Sequence, residues 1–201
     1  MTVPLPYINT LHMSPYGKSI PYPENGESNH GFKNLKLSPN LIDSIPELSS
    51  DTSLKSLIKS LNAQESSFFS VGCFSKMRQT LHGIRHHGYV EFAWNCTTCV
   101  QDAIHYFSLF FHFDKYLRNE KFNHSVKLDW IIEEVRFCDV GICGFCCAIF
   151  IDTAPCQLTA EAVTAWQISL KTIQLFLHTI PRSPSNVIYA DTGLNLGGFS
   201  A

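Results

Sequence analysis

The sequence predicts an α+β domain: a mainly antiparallel sheet of about four to five strands packed with two long helices and preceded by an extended Pro-rich arm. Three observations carry that expectation. Apolar segments that alternate or run continuously between turn residues occur at 67–74, 88–94 and 126–153. Two longer segments, 99–118 and 159–181, repeat apolar residues at spacings of three and four. Seven of the ten prolines fall in the first 46 residues. The expected organisation is an arm over 1–50, a single domain over 51–181 and a tail over 182–201.

In the arm, Pro, Ser, Asn and Gly dominate, and SPYGKSIPYPENGE sets Tyr16 and Tyr22 beside prolines that hold the backbone near polyproline II. Pro15, Tyr16, Pro21, Tyr22 and Pro23 are therefore candidate partner-binding residues, because such a segment loses little entropy on docking into an aromatic groove. Removing 1–46 should then leave the domain folded. Next, Asp51 or Thr52 caps a helix whose stripe is Leu54, Leu57, Ile58 and Leu61. Strands follow at 67–74 and 88–94, the second placing Val90, Phe92 and Trp94 on one face.

A long helix is expected from Cys99 to Arg118, with Gln101, Asp102, His105, Ser108, His112 and Lys115 as its polar stripe. Ile104, Phe107 and Phe111 then belong to its buried side. The segment from 126 reads as a hairpin turning near Asp139 to Gly141. Leu128, Trp130 and Ile132 share one face of its first arm while Val135 and Phe137 fall on the other, which implies a bulge at Glu133 or Glu134. The second arm, apolar on both faces, has the pattern of a central strand. Thr159 caps a last helix carrying Val163, Trp166, Leu170, Ile173, Leu177 and Ile180, and Pro181 ends it. An edge strand is expected over 186–190.

Composition narrows function. Charged residues make up 16% of the chain against roughly 25% in typical soluble proteins, while 45% of residues are apolar. Apolar surface in excess of a core's needs points to a partner, and to self-association. A formal charge of −2 supplies no overall attraction to nucleic acid or acidic membranes, so any such contact needs a local patch. KMRQTLHGIRHHGYVEF supplies one: Lys76, Arg78, Arg85, His86 and His87 are candidate anion-binding residues for phosphate, RNA or a peripheral membrane surface. The N-terminal MTVPLPYINT lacks the basic start and apolar run of a signal peptide, so the expectation is a cytoplasmic protein with reduced cysteines.

Eight cysteines raise two chemical alternatives. GYVEFAWNCTTC places a strand before Cys-X-X-Cys at a helix start, where a helix dipole stabilises a thiolate. Trp94, Cys96 and Cys99 resemble the active-site turn of thioredoxin-like oxidoreductases over about a dozen residues; the resemblance implies Cys96 as nucleophile and Cys99 as resolving thiol. An Asn separates the Trp from the first Cys, and no proline opens the later strand. Cys96, Cys99, Cys143 and Cys146 form two Cys-X-X-Cys pairs that would make zinc the cofactor, although alternation puts Cys143 and Cys146 on opposite faces. Nucleotide-binding loops and hydrolase elbows are absent from the sequence. In layout alone, the Pro/Tyr arm before a small domain of strands and two helices resembles the small matrix proteins of negative-strand RNA viruses. The reading that results is a non-enzymatic protein-interaction or assembly module, matrix-like in layout, with no cofactor. A thiol oxidoreductase or zinc protein is the alternative.

Overall fold

A computed structural model describes residues 6–24, 30–182 and 187–189. Two β-hairpins form most of the sheet: β2 (Phe68–Thr80) with β3 (Gly83–Trp94), and β4 (Val126–Phe137) with β5 (Ile142–Thr153). They join through an antiparallel β3–β5 ladder, and β1 (Tyr7–Ile20) adds to β4 in parallel, giving the order β1-β4-β5-β3-β2. The helices are α1 (Thr52–Asn62), the single turn α2 (Thr97–Val100), α3 (Ile104–Asn119) and α4 (Thr159–His178). The fold is therefore α+β with a five-stranded, mainly antiparallel sheet and three helices longer than two turns.

The first 50 residues depart most from expectation. Those that are described, 6–24 and 30–50, are built into the domain, with β1 as an edge strand and the turns Pro39–Ser44 and Pro46–Leu48 burying Ile42 and Leu48. Proline is tolerated at a sheet edge because its missing N–H costs no ladder bond there. Pro15 lies inside the register shift between Met13 and Gly17. Of the expected docking peptide, Tyr16 is exposed, and Pro15, Pro21 and Pro23 are exposed with it. Tyr22 is tied down, its hydroxyl donating to the Val71 carbonyl at 2.9 Å and its ring 6.3 Å from Phe32. Ile20 is wholly buried and β1 is the ladder partner of β4, so removing 1–46 would uncover that edge and empty a core site.

The α1 prediction holds: Asp51 accepts from the Leu54 N–H at 2.9 Å, and Leu54, Leu57, Ile58 and Leu61 are buried. The helix expected from Cys99 is interrupted. After α2 the chain leaves helical pairing, and the Asp102 carboxylate accepts from the Ile104 N–H at 2.9 Å to start α3. Here α3 buries Tyr106, Leu109, Phe113 and Leu117, leaving Ile104 54% and Phe111 66% exposed. Tyr106 sets that rotation, because its hydroxyl donates to the Phe145 carbonyl at 2.6 Å and accepts from the Trp94 N–H.

Alternation along the ladders defines two faces. Phe92, Trp130 and Ile149 face the helices: Phe113 of α3 lies 5.3 Å from Trp130 and 5.0 Å from Phe176 of α4, and Asn62 of α1 donates to Ser70 at 2.7 Å. The opposite face carries Phe69 and Phe137, 5.7 Å apart, with Tyr189 5.0 Å from Phe69. The expected bulge at Glu133 or Glu134 is absent, since β4 and β5 pair without a shift from Val126–Thr153 to Phe137–Ile142. Val135 and Phe137 are buried because this end of the sheet has apolar cover on both sides. The strand expected over 186–190 lies partly outside the described residues; residues 187–189 are not a strand, and Tyr189 N–H donates to Asn95 at 2.8 Å.

A methyl group at Gly88 would collide with the Phe74 carbonyl and lie 2.6 Å from the Trp166 ring of α4. Gly88→Ala is expected to cost about 1–3 kcal/mol or more through this overpacking, and Ile20→Ala about 2–5 kcal/mol through loss of a fully buried side chain. Urea denaturation measures both. Unchanged stability of Ile20→Ala would show that β1 is not part of the cooperative unit.

Candidate functional site

Two uncovered surfaces stand out: the outer edge of β1, and the half of the sheet's non-helical face nearest the β2–β3 turn. On that face three rows cross the strands. Gly72, Glu91 and Ala148 pair in one, Phe74, Tyr89 and Phe150 in the next, and Lys76, His87 and Asp152 in the third, with Arg78 opposite Arg85 beyond it. The turn itself places Gly83 at φ +129°, which favours glycine, and leaves Leu81 fully exposed. The candidate anion-binding residues thus divide. Lys76, Arg78, Arg85 and His87 share the open face, whereas His86 points to the helices, buried and stacked on Trp166 at 4.4 Å.

Towards β1 the open face closes over ion pairs. Lys18 of β1 contacts the carboxylates of Glu91 on β3 and Glu133 on β4, the latter at 3.0 Å, and the Cys146 thiol of β5 donates to Glu91 at 3.2 Å. Burial alone would weaken the Lys18 ammonium, but the facing Cys146, Glu91 and Glu133 groups outweigh it and hold Lys18 above the ordinary lysine range. Burial and Glu91 push the Cys146 thiol well up, so the carboxylates are the anions that pair with Lys18. Beside the network, a cavity of about 380 Å³ opens between this face and the segment after β1, lined by Lys18, Tyr22, Lys33, Glu47, Tyr89 and Glu91 among others.

The four-cysteine zinc site does not assemble. Among the described residues the one group of three donors within 4.8 Å of one another is Glu91, Glu133 and Cys146, and the Lys18 ammonium already sits against both carboxylates. Cys143 is exposed while Cys146 is buried, as strand alternation requires. The Cys96–Cys99 pair has thioredoxin-like proximity without thioredoxin-like activation. Cys96 is buried, the helix after it is one turn long, and the Cys99 thiol is pushed up to about 11, chiefly by burial and then by its hydrogen bond to Cys96. A reactive thiolate sits in a partly exposed, electropositive setting, and Cys96, the expected nucleophile, is buried.

A second polar cluster ties α1, α4, β2 and β3 together. The Ser75 hydroxyl donates to Asp51 at 2.8 Å, Trp166 Nε1 donates to the same carboxylate oxygen at 2.7 Å, and His86 Nε2 lies 2.8 Å from the Ser75 oxygen. Because the serine proton is committed to Asp51, His86 Nε2 is the donor of the last bond and its Nδ1 carries the lone pair. That Nδ1 is buried without a partner among the described residues. The serine proton thus points at the carboxylate, away from the imidazole, the reverse of an activated nucleophile.

At the β1 edge, Tyr7–Met13 pairs only inward, with Val126–Ile132, among the described residues. Ile8 is 58% and Met13 46% exposed. The sequence contained a signal for the open face, since placing Val90, Phe92 and Trp94 inward forces Tyr89 and Glu91 outward. It held none for the alignment of Tyr89 with Phe74 and Phe150, which depends on the register of three strands.

Lys18→Met strands two carboxylates and is expected to cost about 3–5 kcal/mol, part of it recovered when Glu91→Gln is added; urea denaturation of the single and double variants checks this. Burial, opposed by Asp51 and reinforced by His87, holds His86 below the ordinary histidine range. The unfolded chain therefore takes that proton first, and stability falls as pH drops below about 6.5 towards the folded value. His86→Gln, which keeps an N–H donor, should flatten the thermal-midpoint profile over that window, and an unchanged slope would assign it to other groups. Comparison with protein-family models, with curated proteins and with solved structures finds no match to this chain.

Proposed function

We propose that the chain is a non-enzymatic interaction and assembly module that pairs with a second copy of itself through the outer edge of β1. The observation that carries this reading is the composition of the two edges. Natural edge strands are guarded by Lys, Pro or inward charge against unwanted pairing. The β2 edge follows that rule with Lys76 and Arg78. From Tyr7 to Met13, β1 has no Lys, Arg, Pro, Asp or Glu, and it presents Ile8 and Met13 to solvent.

Antiparallel pairing of this stretch with its own copy is symmetric about Thr10, which brings Tyr7 opposite Met13, Ile8 opposite His12 and Asn9 opposite Leu11 of the partner. Such self-complementarity is what a two-fold dimer requires. Pro15 and the register shift end the pairing segment. Ile104 and Phe111 of α3, exposed two turns apart, provide further apolar area to such an assembly. The thiol-enzyme alternative loses weight because Cys96, its nucleophile, is buried and is followed by a helix of only one turn.

The test is sedimentation velocity over a concentration series, with Ile8→Lys/Met13→Lys as the variant. Both positions are exposed, so folding should be retained, verified by an unchanged thermal midpoint of the dilute protein. The expected result is a concentration-dependent dimer that the two lysines convert to monomer. A wild-type protein that stays monomeric, or a variant that dimerises equally well, would reject self-pairing at this edge.

A further inference from the structure

We propose that the open face beside the β2–β3 turn is a platform for single-stranded nucleic acid, with bases stacking on Phe74, Tyr89 and Phe150 and phosphates meeting Lys76, Arg78 and Arg85. This inference goes beyond the self-pairing edge and rests on different residues. The three rings form one row: Phe74 pairs with Tyr89 and Tyr89 with Phe150, so they project from adjacent strands on the same side. Ring centroids are 6.2 Å apart in the first pair, inclined by 22°, and 5.2 Å apart in the second, inclined by 41°. All three rings are half-buried, in contrast to the buried rings of the helical face. Partly open aromatic rings on a sheet are a surface on which unpaired bases stack whatever their sequence.

The cations complete the argument. Antiparallel partners share a face, so Lys76, Arg78, Arg85 and His87 stand on the same side as the rings, one and two rows further out. Lys76 and Arg78 are exposed, and none of Lys76, Arg78 and Arg85 has a carboxylate within 4.0 Å among the described residues. Arg78 and Arg85 are opposed directly across the ladder, an arrangement that is unfavourable until an anion sits between or above the two charges. The acids nearest the row are already engaged. Glu91, in the next row, contacts Lys18, Asp152 pairs with His87 at 2.8 Å, and Asp129 with His12 at 3.0 Å and Lys127 at 2.9 Å. Rings towards the centre of the face and unpaired cations along its rim are the arrangement that a base-in, phosphate-out single strand needs. A duplex hides its base faces and gains nothing from the aromatic row. A bilayer would use the exposed Leu81 at the turn and leave the row of rings uncontacted.

Fluorescence anisotropy with labelled homopolymers of about 12 nucleotides, within the usual site size of such platforms, tests this on the full chain. With three phosphate contacts on a single strand, log K should fall against log salt with a slope of about −2. Arg78→Glu/Arg85→Glu should abolish binding and, with the like-charge opposition moved but not removed, leave the thermal midpoint close to wild type. Phe150→Leu and Tyr89→Leu keep apolar volume but remove the ring, and each should weaken binding by about ten-fold, as loss of one base stack does. Absence of binding at low salt overturns the proposal. So does binding that the two leucine variants leave unchanged, or that inorganic polyphosphate displaces as well as unlabelled oligonucleotide, because the face would then read charge alone. Equal capture by phosphatidylserine vesicles, lost on Leu81→Ser and indifferent to the leucine variants, would reassign the surface to lipid.

Discussion

The three long helices of this protein all lie on one side of the sheet, and everything unusual about the other side follows from that. A five-stranded sheet with one helical layer must close its second face with something other than helices. At one end it does so with Tyr189, Phe69 and Phe137 and with the segment that follows β1. In the middle, Lys18, Glu91, Glu133 and Cys146 bring together side chains from β1, β3, β4 and β5. Charges withdrawn from water add little net stability, because desolvation offsets their attraction, but they restrict which groups can lie together. Here that means fixing which strand lies beside which, because Lys18 finds both carboxylates only when β1 is at the β4 edge and in register. The end of the face that lacks either kind of cover is where the rings and cations are found.

Much of the helical side was legible in the sequence, and little of the other. Leu54, Leu57, Ile58 and Leu61 name their own partners by spacing, as do Val90, Phe92 and Trp94 by alternation. The signals failed where a long-range contact outweighed a local one. The N-terminal segment has the composition of a linker, yet β4 offers it a ladder and the core offers Ile20 a site with no solvent exposure. On α3 the polar residues suggested one orientation, and the buried Tyr106 hydroxyl, bonded at both its donor and its acceptor side, imposed another. The bulge read into β4 came from assuming a single covered face. Cys146 and Cys147 show that this strand is buried on both sides.

The cysteines illustrate how little a spacing motif says without its surroundings. Cys96 and Cys99 hydrogen-bond to each other, as a redox pair would. Burial makes ionisation of Cys99 harder, and the helix that follows Cys96 is one turn long, too short to provide an appreciable dipole. Cys143 and Cys146, the other half of the presumed zinc set, are separated by the sheet itself. The buried sulfurs of Cys96 and Cys146 pack as small apolar side chains do.

The parallel pairing of β1 with β4 bears on how the chain is made. Thr10 and Asp129, hydrogen-bonded at 2.6 Å, are 119 positions apart. At translation rates of about 5–20 residues per second, strand β1 waits on the order of ten seconds after leaving the ribosome before the strand that receives it exists. Throughout that interval both of its edges are unpaired, and the Tyr7–Met13 stretch carries no charge to deter a neighbour on the same message. Under the proposed self-pairing, nascent chains on one polysome would be the first setting in which two copies of this strand are exposed together, before the domain that holds them has formed.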